Sequence, residues 1–211
     1  STSAHMRMNI VIQYLGITTL LGAIGIEIYN KITNNKKEEK KTNKQQMKKK
    51  GLPAEGKPGT NQERTFVMIK PDAVQRGLVS KILGRFEAKG FKIVAMRFAR
   101  PDKAHFEKHY ADLSGRPFFA GLVEYMANAG PVVAIVLEGR NVILGARTLI
   151  GETDPAKSPA GSIRGDYAVD IGRNVIHGSD SPEGAKAEIA LWFKEEQIIS
   201  WNPTSEEWLY E

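Results

Sequence analysis

Cysteine is absent from all 211 residues, which excludes a disulfide framework and a thiolate metal site and fits a reducing compartment. No metalloprotease pattern and no Ser-His-Asp arrangement is present, and no cluster of carboxylates marks a metal-dependent phosphatase. A phosphate-binding loop is missing as well. Gly51-Leu52-Pro53-Ala54-Glu55-Gly56-Lys57-Pro58 nearly spells one, but it ends in proline, follows a charged tract and leads into no helix. That absence excludes an adenylate-kinase-like enzyme. No internal repeat is visible. The net charge of +6 suggests a nucleic-acid binder, yet residues 31–61 hold ten lysines against three glutamates, so the rest of the chain sums to −1. The basicity belongs to one tract, and nucleic acid is not expected as the main partner of the folded part.

What is present falls into four regions. Residues 1–6 (Ser1 to Met6) read as a tag remnant and are set aside. Residues 7–30 contain an uncharged, mostly apolar stretch from Ile10 to Ile26, broken by Gln13, Tyr14, two threonines and three glycines. As a helix its length is about 26 Å, the lower limit for crossing a bilayer core. A membrane tether and a removed targeting segment both fit it. In the first case the lysine-rich flank places the following domain facing the cytoplasm. Arg7 is the only Lys or Arg before Lys31, too few for a mitochondrial presequence. Residues 31–61 are rich in Lys, Asn and Gln, then in Gly and Pro, without apolar periodicity. They are expected to form a disordered linker. Residues 62–211 form the domain.

Within that domain the pattern alternates between strands and helices, an α/β class. Thr65–Ile69 reads as a strand, and Leu78, Val79, Ile82, Leu83 and Phe86 share one helical face ahead of a glycine cap at Gly90. Phe91–Ala99 is a second strand, Pro101-Asp102 starts a helix, and Phe118–Ala129 is another. Val132–Leu137 is a buried strand by its β-branched content. Asn141–Ile150 is a short helix, and Asp154–Gly165 a Pro/Gly/Ser-rich loop.

Asn174-Val175-Ile176-His177-Gly178-Ser179-Asp180-Ser181 is the most informative stretch. A histidine ends a β-branched run, small and acidic residues follow, and Ser181-Pro182-Glu183 opens a helix that buries Ile189, Trp192 and Phe193. His177 therefore stands on a strand-to-helix corner, near backbone N–H groups of the kind that attract phosphate. An imidazole there can act as a nucleophile toward a phosphoryl group. Taken alone, such a histidine more often caps a strand end. Its company decides the matter: Lys70-Pro71-Asp72, Lys108-His109-Tyr110, Arg116-Pro117-Phe118-Phe119, Gly145-Ala146-Arg147, Gly151-Glu152-Thr153 and Gly161-Ser162-Ile163-Arg164-Gly165-Asp166.

These spaced motifs resemble those of the nucleoside diphosphate kinases, in one register from about Arg64 to Glu211. The resemblance implies a ferredoxin-like βαββαβ fold, an α+β sandwich with a four-stranded antiparallel sheet. It implies γ-phosphoryl transfer from a nucleoside triphosphate to a nucleoside diphosphate through a phosphohistidine at His177. Glu188 matches the glutamate that orients the imidazole, and Ser179 the serine supporting it. Lys70, Arg147 and Arg164 match phosphate-binding cations, Thr153 adds a hydroxyl, and Tyr110 a phenol near the transferred group. Asn174 matches the ribose ligand. Phe118 and Ile171 match the pair that sandwiches the base, with Leu122 beside them. Magnesium is implied on the nucleotide phosphates, with Asp180 in water-mediated contact. A homohexamer is implied too, using the Trp208-Leu209-Tyr210-Glu211 end.

Two positions depart from the family pattern. Ala73 stands where the Lys-Pro-Asp turn usually continues with glycine, and Ala120 where a proline is common in a loop used for subunit contacts. His105 and His109, four apart on a helix, are read as a solvated face, since two metal ligands lack a third. The alternative function is a membrane-tethered scaffold, or a protein binding nucleic acid or acidic lipid, on the same fold.

Overall fold

The computed structural model describes Lys31, Pro53 and residues 56–211. The apolar segment 10–26, with the readings attached to it, lies outside the described residues. The chain divides into two units, Ser1–Lys50 and Gly51–Glu211, and the second carries everything below.

The run from Thr65 to Ile69 contains no charge and no turn residue. It forms β1 (Arg64–Ile69), buried at every position, as is the β-branched β3 (Val132–Glu138). These strands show continuous apolar sequence because both faces of the sheet are covered. The sheet order is β2-β3-β1-β4, with β2 (Lys92–Ala99) and β4 (Ile176–Gly178) at the edges and every neighbour antiparallel. Val67, Ile69, Ile135 and Leu137 pack against Ile82 and Phe86 of α2 (Val79–Lys89) and against Val142, Ala146 and Ile150 of α5 (Val142–Ile150). The alternate residues Phe66, Met68, Ala134 and Val136 face the other way. They meet Phe106 of α3 (Lys103–His109), Val123 and Met126 of α4 (Phe119–Asn128), and Ile189 and Trp192 of α7 (Pro182–Trp192).

The connectivity β1-α2-β2-β3-α5-β4 is the ferredoxin-like βαββαβ pattern. The helical pair α3–α4 is inserted between β2 and β3, and α7 follows β4. These three helices cover the second face of the sheet. Local signals fall where the residue types require: Gly90 takes a left-handed φ of 94° at the end of α2, and Asp102 Oδ1 accepts the His105 N–H at 2.8 Å to start α3.

Three expectations need correction. Lys-Pro-Asp-Ala leads into a short helix, α1 (Pro71–Gln75), in which Ala73 is fully buried, so no glycine is needed there. The loop expected through Gly165 gives way to helix α6 (Ile163–Tyr167), because the Ser162 hydroxyl accepts the Gly165 N–H at 3.1 Å. The end of the expected linker has defined structure: Gly56 bridges Glu63, and Arg140 Nε donates to Asn61 Oδ1 at 2.8 Å. At the C-terminus, Leu209 packs over Gly90 and Tyr210 meets the Arg140 guanidinium, while Trp208 and part of Leu209 stay exposed. Among the described residues no helix is long and apolar enough to cross a membrane.

Candidate functional site

The register of the sheet aims the histidine. His177 pairs with Met68 across β4 and β1, and directly opposed residues of an antiparallel pair point to the same face. Met68 belongs to the face covered by α3, α4 and α7, so His177 does too. The strand is shorter than its apolar run suggests. Val175, expected within it, has a φ of 61°, an outlier for a β-branched residue. Its N–H is held by Asp72 Oδ2 at 3.0 Å, and its carbonyl accepts the Lys70 N–H at 2.9 Å. A strained residue fixed from both sides turns the chain sharply just before the histidine. Gly178 then allows close approach: a Cβ there would lie 2.5 Å from Ile150 Cδ1.

Ser181 caps α7 by accepting the Gly184 N–H at 3.0 Å, and two turns on the helix presents Glu188. Glu188 Oε1 lies 2.6 Å from His177 Nε2, and Ser179 Oγ donates to Oε2 at 2.5 Å. Ser179 Oγ in turn accepts the Phe66 N–H at 3.3 Å. Both carboxylate oxygens are thus engaged, and Nε2 is committed to Glu188. The Nδ1 atom is left as the ring nitrogen free to act as a nucleophile. The expected pairing of His177, Glu188 and Ser179 is present as a hydrogen-bonded triad.

Cations line the neighbouring wall. Lys70 is nearly fully buried, with Nζ donating to Asn174 Oδ1 at 2.8 Å. Burial lowers its pKa from 10.5 to about 8 against the pull of Asp72, with Arg164 and Arg173 adding repulsion. Asn174 Nδ2 donates to the Thr153 carbonyl at 2.9 Å, which ties the lysine to the loop after α5. Arg164 donates to the carbonyls of Asn174, Gly151 and Ile176 at 3.2, 3.2 and 2.7 Å, and burial, with Arg147 nearby, lowers its pKa to about 10. Arg147 is half-buried and exposes the rest of its fork beyond a 3.5 Å contact to the Gly178 carbonyl. Tyr110 is buried, its ring centroid 6.0 Å from that of His177. Burial and the Glu188 charge hold its phenol above the usual range, so it is neutral.

At the mouth stand Phe118 and Ile171, 57% and 58% exposed. Large apolar side chains left in water at a cleft rim are placed to be covered by a ligand. Leu122, one turn after Phe118, is half-buried behind it. All thirteen candidate residues, Asp180 and Thr153 included, line a single cleft of about 930 Å³. That volume lies in the range of small-molecule sites.

The structure adds residues that the sequence reading passed over. His109 and His105 do not lie on a solvated face. His109 is buried beside His177, with ring centroids 4.7 Å apart, and its Nδ1 accepts the Trp192 indole N–H at 3.2 Å. His105 is half-buried against Trp192. His109, without His105, joins His177 and Glu188 in a group whose donor atoms lie within 4.8 Å of one another. Asp72 accepts the Tyr125 O–H at 2.7 Å, and Arg173 stacks 3.8 Å above the Tyr125 ring. Asp72 and His109 sit in quoted motifs and carried a signal in that sense. Trp192 was expected only as a buried helix residue and Tyr125 carried no signal, because only the packing of α4 and α7 brings them to the site.

Comparison with known proteins agrees with this geometry. The nucleoside diphosphate kinase family profile matches residues 63–198. A nucleoside diphosphate kinase of Drosophila yakuba is 58% identical over 151 residues, covering 72% of this chain and all of that protein. Nucleoside diphosphate kinase B of Homo sapiens is 56% identical over 151 residues, 72% of this chain and 99% of its own. Among solved structures, a halophilic nucleoside diphosphate kinase from Halobacterium salinarum in complex with CDP is similar, with a TM-score of 0.68 and 47% identity. It covers 71% of this chain and 99% of that one. With its fold, its cleft and these relatives, the chain belongs to the nucleoside diphosphate kinase family, as a phosphotransferase of that type.

Proposed function

We propose that the cleft transfers the γ-phosphoryl group of a nucleoside triphosphate to a nucleoside diphosphate in two half-reactions through a phosphohistidine at His177. The observation that carries this reading is the commitment of Nε2 to Glu188 at 2.6 Å. It keeps the proton on Nε2 and the lone pair on Nδ1. In the first half-reaction the Nδ1 lone pair forms a bond to the γ-phosphorus, and the bond from that phosphorus to the β–γ bridging oxygen breaks. The leaving diphosphate keeps the electron pair. Positive charge developing on the ring is balanced by Glu188, whose own orientation Ser179 maintains. In the second half-reaction a terminal oxygen of another diphosphate attacks the same phosphorus, and the N–P bond breaks. No net proton moves.

Lys70, Arg147 and Arg164 stabilise charge spread over the phosphate oxygens. Thr153 and the neutral Tyr110 contribute hydroxyl donors, and Lys70 with Asn174 meets the sugar. Phe118 and Ile171 stack on the base, and stacking uses a π-face that every base has, so several bases are accepted. The rule-bearing metal in this reading is magnesium bound to the nucleotide. Exposed Asp180, whose Oδ1 accepts the Ser181 hydroxyl, fits one contact through water, whereas the nitrogen-rich His109–His177–Glu188 group does not suit that ion. When bound, it neutralises phosphate charge.

Assembly and location belong to the same proposal. Met96 and Phe98 are exposed on the edge strand β2, and Trp208 near the chain end. Exposed apolar side chains on an edge strand favour burial by a second copy, which supports a closed homo-oligomer, with a hexamer as the expected size. The segment 10–26 serves in this reading as a membrane tether holding the enzyme toward the cytoplasm.

Incubation with γ-labelled ATP and gel separation tests the chemistry. An acid-labile, alkali-stable label is expected on the wild-type protein and none on His177→Gln, which still binds nucleotide. Exchange by His177→Gln at about a tenth of the wild-type rate would overturn the assignment.

A further inference from the structure

His109 lies directly behind the nucleophile, with no exposed side-chain surface. Burial, with His177 and His105 adding to it, lowers its pKa from 6.5 to about 2, so the ring is neutral and carries one proton. Geometry decides which nitrogen holds it. The Trp192 indole can only donate, and it points at His109 Nδ1 from 3.2 Å. A proton on Nδ1 would set two N–H groups against each other without an acceptor. The proton therefore sits on Nε2, a buried atom with no hydrogen-bond partner among the described residues.

Its consequence lies 4.0 Å away, where His109 Nδ1 faces Glu188 Oε1. That is the oxygen bound to His177 Nε2 at 2.6 Å. An Nδ1–H on His109 would compete with His177 for it, and a shift of about 1 Å would bring the two into bonding range. Held as a lone pair, Nδ1 repels the carboxylate instead and leaves Oε1 to the nucleophile. We propose that Trp192 is a positioning residue for phosphoryl transfer: by donating to His109 Nδ1 it fixes the His109 tautomer, which keeps Glu188 on His177 Nε2 and the His177 lone pair on Nδ1. The catalytic part of the idea rests on the proposed phosphohistidine chemistry, but the tautomer part does not.

The test has two arms. Long-range proton–nitrogen correlation spectra of the full chain, with nitrogen-15 in its histidines, read both tautomers in the resting protein. The expected result is a proton on Nε2 of both His109 and His177. A proton on His109 Nδ1 would overturn the proposal whatever the enzyme does, and needs no variant to fold. In the second arm, Trp192→Phe keeps the ring packing against Phe66 and His105 but removes the donor. It is expected to slow formation of the labelled phosphohistidine at least about tenfold, within the limit of about 10⁴ seen when a catalytic histidine is held in the wrong tautomer. Nucleotide KM should stay within about twofold, because the base and phosphate contacts are untouched. Adding His109→Leu, which cannot donate to Glu188, is expected to restore part of the rate. A Trp192→Phe rate equal to wild type, or a double variant no faster than the single one, would show that the indole only packs.

Discussion

Lys70 offers a quantitative test because its charge is both needed and resisted. The residue is 5% exposed, its ammonium group donates to Asn174 Oδ1, and it shares its surroundings with Arg164 and Arg173. The fall in pKa from 10.5 to about 8 corresponds to about 3 kcal/mol disfavouring the charged form. In the proposed reaction, polyphosphate needs that charged form. Roughly nine-tenths of the free enzyme carries it at pH 7 and roughly one-tenth at pH 9. The dissociation constant for a nucleoside diphosphate should therefore rise about tenfold over that interval, with proton uptake on binding at the upper end. Stability has the opposite slope. The folded state releases this proton at about pH 8, whereas the unfolded chain keeps it to 10.5. The cost of holding a buried charge is thus full below pH 8 and is relieved as pH rises toward 10.5. Isothermal titration calorimetry with ADP at pH 7, 8 and 9, on wild type and Lys70→Gln, measures the effect. The variant should bind weakly and with little pH dependence. A wild-type profile as flat as that of Lys70→Gln would refute the reasoning.

Other outcomes follow from the same geometry. Phe118→Ala removes an exposed ring, so its denaturation midpoint should match wild type. Loss of stacking, about 1–3 kcal/mol, should raise the dissociation constant at least about fivefold for purine and pyrimidine nucleotides alike; a change for one base only would contradict it. His109 is depressed from 6.5 to about 2, so its contribution to stability is full above pH 6.5 and falls by about 1.4 kcal/mol per pH unit below it. Urea denaturation of His109→Leu between pH 6.5 and 4.5 should give a shallower decline than wild type, and parallel declines would refute that. A chain starting at Gly51 should retain specific activity, because relatives of about this length match over 99–100% of their own chains; an unfolded or inactive product in a coupled exchange assay would show that the preceding residues are structural.

Much of this protein was legible from local pattern. The apolar runs of β1 and β3, the glycine after α2, the Asp102 cap and the Ser181-Pro182 helix start are short-range signals. Each reports steric and hydrogen-bonding demands that neighbours in sequence satisfy by themselves. Motif register likewise marked His177, Glu188 and the cations, because their chemistry restricts residue type. Other features depended on distant parts of the chain. Val175 belongs by composition to a strand, but Asp72 and Lys70, a hundred residues earlier, hold it in a left-handed conformation. His109 follows a polar helix pattern, yet α7 folds over it and turns an apparent surface histidine into a buried neutral one.

The sequence by itself determined the class of the domain, the location of the basic tract and the set of reactive side chains, since these depend on residue type and spacing. Only the tertiary structure decided how those side chains face one another. The pairing of Met68 with His177 selects the face of the sheet, and the docking of α7 sets Glu188 and Trp192 against it. Distances of a few ångströms between residues ten to a hundred apart come from packing, which no local pattern encodes.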